Sequence, residues 1–302
     1  MINKANINYD LVRLVACILV VLHHTFGIKP QAYPTLYLFT STCVPLFILL
    51  SGSLLLNQKY SILVFYKKRL SKILLPALFW ILFYSLFRMA KDFYVNGSFS
   101  YYTILKNSIG INGWPYYHLW YLYLIFLLYI ITPVLQHIHL LFREKNKLLI
   151  QIILCVLLLF FVFACEDVWL EYLTIYCLGG VISTVINAVD IVYQKIAFVT
   201  LVLLAFLCFV FNLEHALGLI SPILIFISLL RFPIIKGRIY SVLISLTFGI
   251  YLIHPLIIES FSLLTENGWI YKSDYLEFFV AFGFSSVITL LVKKVYFLRE
   301  MI

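Results

Sequence analysis

The sequence is short of charge. Of its 302 residues only 12% are Asp, Glu, Lys or Arg, where a soluble domain carries roughly 25%. Hydrophobic residues make up 64%. Polar surface is too scarce to cover a water-facing globule, which excludes a soluble fold and makes the bilayer the solvent. Cysteine is present without pattern: six residues (Cys17, Cys43, Cys155, Cys165, Cys177 and Cys208), none in a CxxC pair and most inside apolar runs. That spacing excludes a zinc ribbon or a redox dithiol and leaves buried thiols as the default. No small-residue cleavage site follows the first apolar run, which contains Arg13 and continues into TFGIKP. It reads as a permanent span and not as a signal peptide. Repeats of 20–50 residues and low-complexity linkers are also lacking, so one membrane domain over 1–302 is expected.

What is there is a series of long apolar runs. A helix needs about 20 residues to cross the hydrocarbon, and that ruler gives ten spans: 11–28, 34–56, 73–90, 117–137, 148–165, 169–188, 196–213, 215–230, 239–261 and 276–297. The expected fold is an all-α bundle of about ten transmembrane helices. Placing both termini in the cytoplasm leaves only Lys29, Arg88, Lys91, Lys106 and Lys272 outside, so 17 of the 22 basic residues face inward. This obeys the positive-inside tendency. It also explains the net charge of +9 as an inner belt against anionic headgroups of membrane lipids, without any nucleic-acid partner.

Several spans carry ionisable groups that an anonymous span would not. The first, DLVRLVACILVVLHH at 10–24, holds Asp10 and Arg13 one turn apart at its inner edge, and His24 about 16 Å further along. His254 in the ninth span lies at a similar outer depth, and His118 stands at the mouth of the fourth with Trp120 and Tyr121 just below it. Each histidine alone is explained by a hydrogen bond to a neighbouring helix. Three at one level predict a polar pocket opening outward, with a group that gains or loses a proton near neutral pH. Tyr251 shares a helix face with His254, and Glu259 lies a little beyond it. On the inner side, FYKKRLSKILLP places Lys67, Lys68, Arg69 and Lys72 before the third span. These cations either set topology or hold the phosphates of an anionic cofactor. An outer loop rich in Phe, Tyr and Trp (91–117) either packs on sugar rings or forms an interfacial belt.

Taken together the motifs resemble the acyltransferase-3 family of membrane O-acyltransferases. Arg13 and His24 match its Arg-x10-His mark, with Asp10 three residues before the Arg. CVPLFILLSGSLLL at 43–56 is similar to its second span, ending in Ser51-Gly52; HLWYL at 118–122 and GIYLIHP at 249–255 look like further landmarks. Arg69-Leu-Ser-Lys72 departs from the family's Arg-x-x-Arg, keeping the charge but losing one guanidinium fork. The resemblance implies a multi-pass protein of a bacterial cell membrane, stand-alone, without the SGNH domain of some relatives. It implies transfer of an acyl group, usually acetyl from cytoplasmic acetyl-CoA, to a sugar hydroxyl of an envelope glycan or lipid-linked saccharide, with no metal. In that scheme His24 is the general base or carries the acyl group covalently. His254 orients the acceptor or polarises the carbonyl, and Glu259 is the acid expected to orient His24. Arg13 serves the donor or locks the span through Asp10, and Lys68, Arg69 and Lys72 bind the CoA phosphates. His118, Trp120, Tyr121 and Tyr251 line the pocket. The competing readings are a transporter or binding domain, and a polysaccharide exporter.

Overall fold

In a computed structural model the chain is described over residues 8–27, 31–59, 61–108, 116–142, 167–188, 191–211, 213–232, 237–296 and 298–302, with isolated positions between 150 and 160. Among the described residues there are helices and no strands. Eight of the helical segments are long and apolar enough to cross a membrane, and Ala216–Arg231 is a shorter apolar helix. The fold is that of an all-α membrane protein. Most of the span expected at 148–165 lies outside the described residues.

The chain divides into two compact units, Met1–Lys59 with Val134–Ser286, and Tyr60–Pro133 with Val287–Ile302. In the first, α1 (Tyr9–Leu22) runs into a π-helical turn at His23–Gly27. The span expected at 34–56 is two helices, α2 (Pro34–Thr40) and α3 (Cys43–Leu55). The break has a local cause. Thr40, Ser41 and Thr42 each turn their hydroxyl back onto a carbonyl three residues earlier, of Tyr37, Leu38 and Phe39. Such bonds compete with the helical ladder, and Pro45 just beyond has no N–H to offer.

Among the described residues α3 packs most extensively on α7 (Val168–Ala188). Glycine makes it possible. A Cβ on Gly52 would run into the backbone carbonyl of Tyr176, and one on Gly179 into that of Leu49. Helices in lipid gain little from burying apolar surface against each other, so close backbone contact through small residues supplies the attraction. The seam ends in a polar knot. Asn57 Oδ1 accepts from His139 Nε2 at 3.1 Å and from Thr184 Oγ1 at 2.8 Å, while its Nδ2 donates to the carbonyls of Ser53 and Gly180. His139 comes from α6 (Trp120–Phe142), whose Gln136 also donates to the carbonyls of Leu55 and Gln58.

In the second unit α4 (Ile62–Asn96) is 35 residues long, about 52 Å against a hydrocarbon core of about 30 Å. Lys67, Lys68, Arg69 and Lys72 are therefore on the helix itself and not in a loop before the span. Gly97 ends it at φ 68° in the left-handed region. A short α5 (Tyr101–Ser108) follows, with the Lys106 ammonium 4.2 Å from the centre of the Tyr102 ring. Trp80 Nε1 of α4 donates to the carbonyl of Met301 at 2.8 Å, and Tyr66 Oη donates to that of Ile130 at 2.6 Å.

The remaining helices are α8 (Ile191–Val210), α9 (Glu214–Arg231), α10 (Arg238–Glu266) and α11 (Asp274–Val292). α10 reaches five residues past the span expected at 239–261, and α11 ends earlier than the expected 297.

Candidate active site

One end of the first unit is built on α1, α10 and α11. Cys17 and Val21, Leu246 and Ile250, and Ala281 form one buried cluster, with Phe47, Phe278 and Phe282 packed on it. Cys17 Sγ donates to the carbonyl of Thr247 at 3.3 Å, which fixes α1 beside α10. One turn beyond this cluster the apolar lining gives way to imidazoles. His24 follows Val21 by three residues and His254 follows Ile250 by four, so each continues its cluster face.

The two rings stack, with centroids 5.3 Å apart and planes 27° apart. His254 is fully buried and His24 half-buried. His254 Nδ1 lies 3.1 Å from the carbonyl of Ile250. A carbonyl only accepts, so Nδ1 carries the proton and the neutral ring keeps its lone pair on Nε2. His23 packs its ring edge against His24 at 5.6 Å, and its Nδ1 meets Thr40 Oγ1 at 3.1 Å. The π-helical turn at 23–27 adds a residue to one turn of the ladder, a distortion common at functional sites. Thr25 Oγ1 donates to the carbonyls of Val21 and Leu22 inside it. The rim is aromatic and acidic: Phe26 meets Tyr275 at 5.1 Å and Tyr33 at 5.5 Å, and Tyr33 Oη donates to Asp274 Oδ2 at 3.1 Å.

A pair of stacked imidazoles at the end of a membrane helix, His24 half-buried and His254 enclosed, is suited to proton transfer in a region poor in water. Comparison with known families gives that arrangement its context: a family model described as an acyltransferase domain, of the acyltransferase-3 type, matches residues 6–293. The chain belongs to this family. It is a membrane acyltransferase, as its motifs led one to expect. No curated protein and no solved structure shows significant similarity to it.

The other landmarks of this family member are distributed as follows. Arg13 Nη1 pairs with Asp10 Oδ1 at 3.6 Å, near the beginning of α1. Eleven residues of helix, about 16 Å, separate Arg13 from His24, so Arg13 does not reach a carbonyl held at that imidazole. Both partners are well exposed, and such a pair contributes about 0–1 kcal/mol. Tyr251 is buried on the His254 side of α10, ring centroids 6.3 Å apart. Glu259 is half-buried five residues beyond His254, about 7 Å further along α10 and 140° around it. Ser51-Gly52, a family landmark, has a packing role through Gly52.

His118 belongs to the second unit. It is buried among aromatic edges, 5.1 Å from Tyr84 and 5.9 Å from Tyr116, and those two rings lie 4.6 Å apart. Trp120 and Tyr121 are half-buried at the start of α6, ring centroids 6.4 Å apart. In the outer aromatic segment Tyr116 is thus a packing residue, while Tyr101 and Tyr102 stay exposed and Trp114 lies outside the described residues. Lys68 and Lys72 are exposed and Arg69 half-buried on α4.

Sequence reasoning missed the polar end of the first unit. A cavity of about 300 Å³ there is bounded by Tyr9, Ser53, Asn57, Gln58, Ser183 and Asn187. Tyr9 Oη and Ser183 Oγ are 2.9 Å apart across it. The signal was available as QHIH at 136–139, a histidine pair at the inner end of an apolar run. Tyr9 and His24 are fifteen residues apart on one helix, about 22 Å, so this cavity and the imidazole pair occupy opposite ends of α1. Glu277, second residue of the expected tenth span, carries no motif that singles it out in the sequence, yet it is buried.

Proposed function

We propose that the protein moves an acetyl group from acetyl-CoA, taken on its Lys/Arg-rich side, to a sugar hydroxyl of a cell-envelope glycan or lipid-linked saccharide. The observation that carries this reading is the stacked His24–His254 pair within a chain of the acyltransferase-3 family. A sugar hydroxyl is a weak nucleophile at neutral pH. His24 removes its proton as the oxygen attacks the thioester carbonyl; the new C–O bond forms, the C–S bond breaks, and the proton passes from the imidazolium to the departing thiolate. General-base assistance of this kind contributes about 10²–10⁴-fold. His254, its tautomer fixed by Ile250, stacks on His24 and fixes the position of that ring.

The test is incorporation of radiolabelled acetyl from acetyl-CoA into glycan by purified protein in liposomes, checked by mass spectrometry of glycan esters in a strain lacking the gene. Ester loss with normal glycan is the expected result. Solute accumulation without ester formation, or loss of the glycan itself, would replace this reading with a transporter or an exporter.

The cations of α4 give a second expected outcome. Arg69→Ala raises the KM for acetyl-CoA about tenfold while leaving kcat nearly unchanged, as loss of a charge-assisted phosphate contact does. Arg69→Lys recovers part of it, since lysine keeps the charge but not the fork. An unchanged donor KM in Arg69→Ala would leave these cations to topology alone.

A further inference from the structure

Glu277, in the first turn of α11, is only 8% exposed. A carboxylate inside an apolar bundle is costly unless cations or N–H donors meet it. Contacts on both sides fix its level. Ala281, one turn later, stands in the buried cluster with Val21 and Ile250. Tyr275, two residues earlier, packs on Phe26, and Asp274 meets Tyr33. α11 therefore runs opposite to α1, passing Phe26 first and Val21 later, and Glu277 lies between those two points. On α1 the residues between Val21 and Phe26 include His24. On α10 one turn past Ile250 is His254. The same step that brings His24 and His254 together, one turn outward from the cluster on α1 and α10, leads on α11 to Glu277. Four residues before Ala281, it also shares that residue's inward face.

We propose that Glu277 is the positioning carboxylate of the imidazole pair, accepting a hydrogen bond from a ring N–H and stabilising the positive charge the pair gains on taking the acceptor's proton. His254 Nδ1–H is already given to Ile250. The N–H offered to Glu277 is therefore on His24, or on His254 Nε2 once the pair is protonated. The logic is that of an acid that fixes a histidine's tautomer without itself accepting the proton. Only the kinetic consequence rests on the transferase reading.

The experiment uses the full chain in bilayers, labelled with ¹⁵N-histidine, with His24→Gln and His254→Gln to assign the ring resonances. Glu277→Gln, equal in shape but uncharged, is expected to move the ring ¹⁵N shifts of at least one of the two histidines. It should lower kcat about 100-fold or more at unchanged KM for acetyl-CoA, with Glu277→Asp restoring part of both. Unmoved ring resonances in a folded Glu277→Gln protein overturn the proposal, whatever happens to activity. If the resonances move in Glu277→Gln but the wild-type protein transfers no acetyl group, the placement of Glu277 stands and the transferase reading falls instead. If the Gln variant fails to insert, Glu277→Asp, which keeps the charge but withdraws it by a methylene, carries the same ring measurement.

Discussion

His24→Gln is expected to abolish acyl transfer, lowering kcat by about 10²–10⁴-fold while the protein still inserts and keeps its thermal unfolding midpoint. The argument is geometric. His24 is the half-buried member of the pair and stacks on an imidazole that is itself fully enclosed. Glutamine preserves bulk and hydrogen-bonding reach but has no basic nitrogen. The fold does not depend on that nitrogen, because α1 is held by apolar contacts of Cys17 and Val21 and by the Cys17–Thr247 hydrogen bond. His254→Gln should also be impaired, but for a different reason, since it removes a buried ring that fixes the position of the first. Transfer at the wild-type rate by His24→Gln protein would exclude His24 as base and as acyl carrier alike.

The second large effect concerns stability, and it falls on residues far from the imidazoles. Gly179→Val is expected to remove most folded protein from the membrane, and Gly179→Ala and Gly52→Ala to lower the unfolding midpoint clearly. At both positions the obstacle to a Cβ is backbone of the facing helix, Leu49 for Gly179 and Tyr176 for Gly52. Backbone cannot rotate aside as a side chain can. The helices must separate, and the small-residue contact that holds α3 to α7 is lost along with the hydrogen bonds of Asn57. A loss of about 3 kcal/mol or more per alanine is expected, at the upper end for overpacking. Gly218→Ala, with nothing within 4 Å of the added carbon, is the control and should be close to neutral. Equal midpoints for Gly179→Ala and Gly218→Ala, measured in detergent by thermal melting, would remove the seam as a determinant of the fold.

These two cases show how differently sequence reports on site and scaffold. His24 and His254 were visible because rare groups in an apolar background are conspicuous, and Ser51-Gly52 through its resemblance to the family's second span. The role of Gly52 was not, since a sequence does not say which backbone a glycine faces. Lys67–Lys72 were seen as a cluster, but their place on a long helix was not, because charge lowers hydropathy whether or not the chain is helical. The acid for the imidazoles was sought at Glu259, the carboxylate nearest in sequence to His254. The register of α11 points to Glu277, which is distant along the chain and near along the bundle.

Membrane character, helical class and the family's motif residues followed from the sequence alone, because a chain with so little polar surface has one solvent open to it and few places to put a histidine. Which helices touch, and at what level, was settled only by tertiary structure. The contacts of Gly52, the stacking of His24 on His254 and the burial of Glu277 all depend on the axial offset between helices, and that offset is a sum of many weak packing contacts that no single segment encodes.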